Sequence, residues 1–201
     1  MKLTVSISCP FSFCLATAIL TSTFSGNIST GDGGAIFSSV NTKIVNSTLS
    51  GNQAGASKGA GGLFQYGGNS LLQYVTIANN QAGYSGGVYS ENSKGGSITM
   101  QNVLLSKNQN GNCGGATLYS SGGNLSSDTY CSVFTQSHDK QNKNAKLGAL
   151  ANNGGPTQTH TLLAGSPAIN NALAIVGITK DQRNVARPKG TAPDTGAVEA
   201  Q

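Results

Sequence analysis

The hexapeptide "STFSGN" at Ser22 to Asn27 returns as "STLSGN" at Ser47 to Asn52, and in looser form as "VTIANN" at Val75 to Asn80 and "VLLSKN" at Val103 to Asn108. The closing asparagines, Asn27, Asn52, Asn80 and Asn108, are spaced by 25, 28 and 28 residues. Recurrence at that period confines the chain to repeat architectures, in which each copy is one structural unit stacked on the next. Three positions before each asparagine stand Phe24, Leu49, Ile77 and Leu105, and eight before stand Ile19, Ile44, Leu72 and Met100. Both columns are wholly apolar. A second block lies between the asparagines: Gly34-Ala35-Ile36-Phe37, Gly61-Gly62-Leu63-Phe64 and Gly86-Gly87-Val88-Tyr89. Its fourth copy, near Gly115 and Ala116, is degenerate, with Leu118 and Tyr119 displaced by one residue.

Helical repeats are excluded, because each helix needs ten or so residues of 3.6-residue amphipathicity and no segment from Ile19 to Asn108 offers it. Composition agrees: charged residues are 9 %, there are 28 glycines and no tryptophan, and the helix-forming Glu and Lys are scarce. Short β-type runs split by Gly and Asn predict an all-β, right-handed parallel β-helix with one coil per repeat and like residues stacked about 4.8 Å apart. Residues 18–137 then form roughly five coils and residues 138–201 an irregular segment that caps or flanks them. The aliphatic columns fill the interior. The asparagines mark a turn where Asn tolerates a left-handed backbone and bonds to the Asn above and below.

The alternation of "GGAIF" with "FSGN" resembles the repeats of polymorphic outer-membrane proteins. "KLGALANNGGPTQTHTLLAGSPAIN" (Lys146 to Asn170), "DQRNVARPKG" (Asp181 to Gly190) and "DTGAVE" (Asp194 to Glu199) resemble the C-terminal region of choice-of-anchor Q domain proteins. The resemblance implies a pectin-lyase-like solenoid that is secreted or displayed on the bacterial cell surface or outer membrane, mostly without assigned activity. It also implies a disulfide between Cys113 and Cys131, worth about 3 kcal/mol in the chain-entropy model and at home in an oxidising compartment. Two free buried thiols are the alternative.

At the amino terminus, "MKLTVSISCPFSFCLATAIL" contains Cys9, Cys14 and an A-x-A site at Ala16 to Ala18. Residues 1–17 fit a signal peptide or the remnant of an upstream coil, and the two readings stand side by side. There is no run of 18 uncharged apolar residues, so no transmembrane helix is expected. The net charge of +5 comes from 12 cations and 7 anions spread thinly, unlike a nucleic-acid footprint. With His138 and His160 the only histidines and no Cys-x-x-Cys, no metal or cofactor is expected.

Catalytic residues are expected to be none. Polysaccharide cleavage needs paired carboxyls, or a carboxylate cluster with a base, and the repeats hold only Asp32, Glu91 and Asp128; Asp32 and Glu91 fall in different loops more than two coils apart, and Asp32 reads as a turn residue. A threonine column, Thr23, Thr48 and Thr76, is broken by Leu104, which weakens an ice-binding reading. If Ile36, Leu63 and Val88 point inward, then Phe37, Phe64 and Tyr89 point outward as an aromatic stripe. Such a stripe either binds a surface glycan or a host or neighbouring protein, or is covered by the tail. The function expected is adhesion or structural display by a monomer, with glycan binding or a polysaccharide lyase or hydrolase as the alternatives.

Overall fold

The computed structural model describes residues 5–7 and 17–200. Cys9, Cys14 and Ala16 lie outside them. The strands in chain order are β1 (Val5–Ile7), β2 (Thr17–Leu20), β3 (Thr23–Ser25), β4 (Ile36–Ser38), β5 (Thr42–Ser50), β6 (Leu63–Gln65), β7 (Asn69–Ala78) and β8 (Val88–Ser90). They continue as β9 (Ser97–Gln101), β10 (Leu104–Ser106), β11 (Cys113–Gly115), β12 (Leu118–Ser120), β13 (Leu125–Ser126), β14 (Leu147–Ala151) and β15 (Thr159–Leu162). Among the described residues the only helix is a single 3-10 turn at Asn92–Lys94.

Two parallel sheets make a β-solenoid of about four turns. The first stacks β1, β4, β6, β8 and β11; the second is built around β5 and β7, with β2, β3, β9, β10, β12 and β13. Registers follow the repeat: Ile36 pairs with Leu63 and Leu63 with Val88, while Leu49 pairs with Ile77 and Ile77 with Leu105. All of these are fully buried in one core that also holds Ile44, Leu72 and Met100. Glycine lets the coils approach: a Cβ on Gly87 would lie 2.0 Å from the carbonyl oxygen of Asn112, and one on Gly61 would lie 2.6 Å from the backbone of Gln81. No larger residue fits without forcing coils apart.

The asparagine row forms a buried amide ladder. Asn27 Nδ2 donates to Asn52 Oδ1, Asn52 Nδ2 to Asn80 Oδ1 and Asn80 Nδ2 to Asn108 Oδ1, each at 2.9 Å. Each Oδ1 also accepts the backbone N–H of the asparagine one coil earlier, at 2.8 to 3.1 Å. The left-handed backbone, however, belongs to the residue before each asparagine: Gly26, Gly51, Asn79 and Lys107, with φ between 55° and 66°. The amide of the next residue thereby turns inward, where its side chain can bridge coils.

About four turns form, against the roughly five expected, and the fourth block departs from the pattern while still stacking on the third. Cys113 pairs with Val88 and Gly114 with Tyr89, so they occupy the aliphatic and aromatic columns. Leu118 and Tyr119 instead pair with Ile98 and Thr99 in the second sheet. Asn112, only four residues after Asn108, takes the next rung of the ladder. The disulfide between Cys113 and Cys131, with Cα atoms 5.0 Å apart, closes this end inside the core.

A second left-handed row, Thr21, Asn46, Tyr74 and Asn102, bends the strands of the second sheet. Glycine is absent from it, and the reason lies in the tail. Asn46 Nδ2 donates to the carbonyl of Lys180, the hydroxyl of Tyr74 to that of Leu173 at 2.8 Å, and Asn102 Nδ2 to the same carbonyl at 2.7 Å. The kink therefore aims polar side chains at residues 173–180. The threonine column faces the same way: Thr23 Oγ1 donates to Gln158 O, Thr48 Oγ1 meets Gln182 Oε1, and Thr76 Oγ1 accepts the N–H of Ala197. Those threonines anchor the tail.

Candidate functional site

Strand alternation sets the aromatic face. Ile36, Leu63 and Val88 enter the core, and Phe37, Phe64 and Tyr89 leave it on the other side of the first sheet. Their rings stack on one another, Phe37 to Phe64 with centroids 5.6 Å apart and Phe64 to Tyr89 at 5.5 Å, nearly parallel at 14° and 4°. Tyr66 packs against Phe37 at 5.8 Å and Tyr84 against Tyr89 at 5.7 Å, which extends the row to five rings. Gly59 makes room for it, since a Cβ there would lie 2.0 Å from the Phe64 ring.

This geometry decides which rings can meet a ligand. Both faces of Phe64 are taken by its neighbours and it is only 5 % exposed, so it supports the stack. Phe37 and Tyr89 present edges, whereas Tyr66 and Tyr84 are exposed at 36 % and 59 %. Repetition made Phe37, Phe64 and Tyr89 visible in the sequence, and it missed the two tyrosines because they have no counterpart in other repeats. The row ends where Gly114 replaces an aromatic residue. Burial, then the charge of Glu91, then Tyr84 and Asp32, push the Tyr89 phenol up from its ordinary value, so it stays a neutral hydroxyl donor at physiological pH.

The acids of the repeats have structural work. Asp32 Oδ1 accepts the N–H of Gly59 at 2.6 Å, Glu91 Oε1 that of Ser93 at 3.0 Å, and Asp128 Oδ2 that of Asn112 at 2.9 Å. Each fixes a turn. Among the described residues no group of three His, Cys, Asp or Glu side chains comes together as a metal site.

The tail leaves the aromatic face open because it lies against the second sheet. Its hairpin, β14 paired antiparallel with β15, overhangs the turn row and forms one wall of an open cavity of about 610 Å³. Ser50 and His160 line it, 4 % and 3 % exposed, with Ser50 Oγ 2.8 Å from His160 Nε2. His160 Nδ1 lies 2.7 Å from the carbonyl oxygen of Gly148, which can only accept, so Nδ1 carries the proton and Nε2 accepts the Ser50 hydroxyl. Burial holds the imidazole below its ordinary pKa, partly offset by the Gly148 carbonyl.

The unfolded chain therefore binds a proton at His160 before the folded one does. The stability His160 contributes is complete above about pH 6.5 and is lost as pH falls through its lower folded value. Unfolding midpoints measured from pH 7.5 to 4.5 should fall through this window in the wild type and fall less in His160→Gln. Equal slopes would place the acid sensitivity elsewhere.

No family profile, curated protein or solved structure matches the chain.

Proposed function

We propose that this β-solenoid is a binding and display module, holding a glycan along its open aromatic face without cleaving it and serving adhesion outside the cell or at its surface. The observation that carries the reading is the row of five packed rings, four stacked and Tyr84 tilted against Tyr89, on the sheet the tail leaves uncovered, with exposed Tyr66 and Tyr84 at its ends. Aromatic rings with hydroxyl tips suit ligands that are apolar on one side and polar at the edge, as sugar rings are. The three acids of the repeats are committed to backbone N–H groups, which favours binding over acid–base cleavage.

Two features support a surface location. The disulfide is the kind of crosslink that persists in oxidising compartments. Resemblance to choice-of-anchor Q proteins points the same way, and four charged residues of that stretch, Asp181, Arg183, Arg187 and Glu199, converge on one buried network. Fold maintenance is thus enough to explain them.

A glycan array followed by titration of the best ligand tests the reading. Tyr66→Ser with Tyr84→Ser should weaken binding about tenfold or more, since each ring contributes on the order of 0.5–1.5 kcal/mol. Phe64→Ser should chiefly lower the melting temperature. Retained affinity in the double variant, or steady release of reducing ends or unsaturated products, defeats the proposal.

A further inference from the structure

We infer that Ser50 and His160 form a nucleophile–base pair for acyl transfer, making the cavity beneath the hairpin a hydrolytic site for esters of short acyl groups. The site lies on the second sheet and is independent of the aromatic face, so either assignment can fail alone. Three observations carry it. The hydroxyl-to-imidazole distance of 2.8 Å is that of a base poised to take the serine proton. The Gly148 carbonyl fixes the imidazole in the tautomer whose Nε2 is free to accept. Finally, the pair borders a cavity of about 610 Å³, within the range of small-molecule sites, rather than being sealed in the core.

The chemistry follows from these atoms. Ser50 Oγ attacks the ester carbonyl carbon while its proton passes to His160 Nε2. The carbon–oxygen bond to the alcohol breaks, and that alcohol leaves with the proton from His160. Water then attacks the acyl-serine with His160 again as base, releasing the carboxylic acid and restoring Ser50. Lys107 and Asn79 line the same cavity at exposed turn positions, and among the described residues neither side chain is committed elsewhere. They are the cation and the amide donor this cavity holds for an oxyanion, Asn79 one coil and Lys107 two coils from Ser50. Leu147 and Leu150 give the opposite wall an apolar character that suits a short acyl chain.

Neither residue was detectable in sequence, because 110 positions separate them and neither sits in a nucleophile signature. The test is covalent labelling by a fluorophosphonate, read by intact mass and peptide mapping, beside hydrolysis of p-nitrophenyl acetate. Wild type should gain one label on Ser50 and turn over the ester. Ser50→Ala should lose both. His160→Gln, which can keep the hydrogen bond but cannot act as base, should label at least about 100-fold more slowly while melting as a folded protein. Labelling rate should hold constant from neutral pH to below 6.5 before it falls, a profile that a merely structural histidine would not impose. An unlabelled wild type, labelling that survives Ser50→Ala, or an unchanged rate in His160→Gln overturns the inference.

Discussion

Arg187→Met should lower the stability of the protein by about 3–5 kcal/mol, with the tail detaching from the second sheet at lower denaturant than the coils unfold. Arg187 is 6 % exposed and donates to Glu199 Oε1 at 2.5 Å, to the Asp194 carbonyl at 2.7 Å and to the Gly196 carbonyl at 2.9 Å. Its guanidinium lies 4.0 Å above the ring of Tyr74, whose hydroxyl is bonded to Leu173. Burial pushes the Glu199 carboxyl up and the Arg187 guanidinium down, each against the attraction of the other. Both ions are therefore held at a desolvation cost that their mutual pairing offsets together with the backbone hydrogen bonds each makes. Removing one leaves the other buried without its counter-charge. Glu199→Gln should cost less, because an amide oxygen at the Oε1 position still accepts from Arg187 and from the N–H of Asp194, and only the acceptor facing the N–H of Lys189 is lost. In the double variant Arg187→Met, Glu199→Gln much of the loss should return, which a double-mutant cycle in urea would measure. A strictly additive double variant would show that Arg187 acts through packing on Tyr74.

Legibility of the sequence followed periodicity. Leu49, Ile77 and Leu105 could be placed in the core from sequence because successive coils give one position one environment, and selection for that environment writes the same residue type at a fixed interval. The aromatic column and the asparagine row were visible for the same reason. Where a coil deviates, counting fails: Cys113 and Gly114 stand in for an aliphatic and an aromatic residue, and no residue type announces that substitution. The left-handed row at Thr21, Asn46, Tyr74 and Asn102 was hidden as well, because threonine and tyrosine ordinarily avoid positive φ. Its strain is sustained by bonds to a tail 99 residues beyond Tyr74 and 71 beyond Asn102. Contacts that long have no local signature. The pairing of Ser50 with His160 belongs to the same class, so the part of the molecule built by one-off contacts is where sequence reading stopped.

Asn80→Leu should destabilise the protein by about 2–4 kcal/mol, the loss arising from unmade hydrogen bonds rather than from backbone strain. Asn80 is 1 % exposed, and its Oδ1 accepts from both the backbone N–H and Nδ2 of Asn52, while its Nδ2 donates to the Leu49 carbonyl and to Asn108 Oδ1. Leucine removes all four bonds at once. The N–H of Asn52 and the carbonyl of Leu49 then lie in a dry interior without these partners, and buried groups left unsatisfied cost on the order of 1–3 kcal/mol each. Asn80→Gly is expected to be similarly damaging, since it too deletes the amide. The contrast comes one residue earlier. Asn79 is exposed and carries the left-handed backbone, φ 58°, so Asn79→Gly relieves a conformational restriction and should change stability by less than about 1 kcal/mol. Chemical unfolding of the three variants distinguishes the two origins: if turn conformation governed this row, Asn80→Gly would be tolerated and only Asn80→Leu would fail. A ladder held by amides instead predicts that both Asn80 variants lose stability together while Asn79→Gly melts with the wild type.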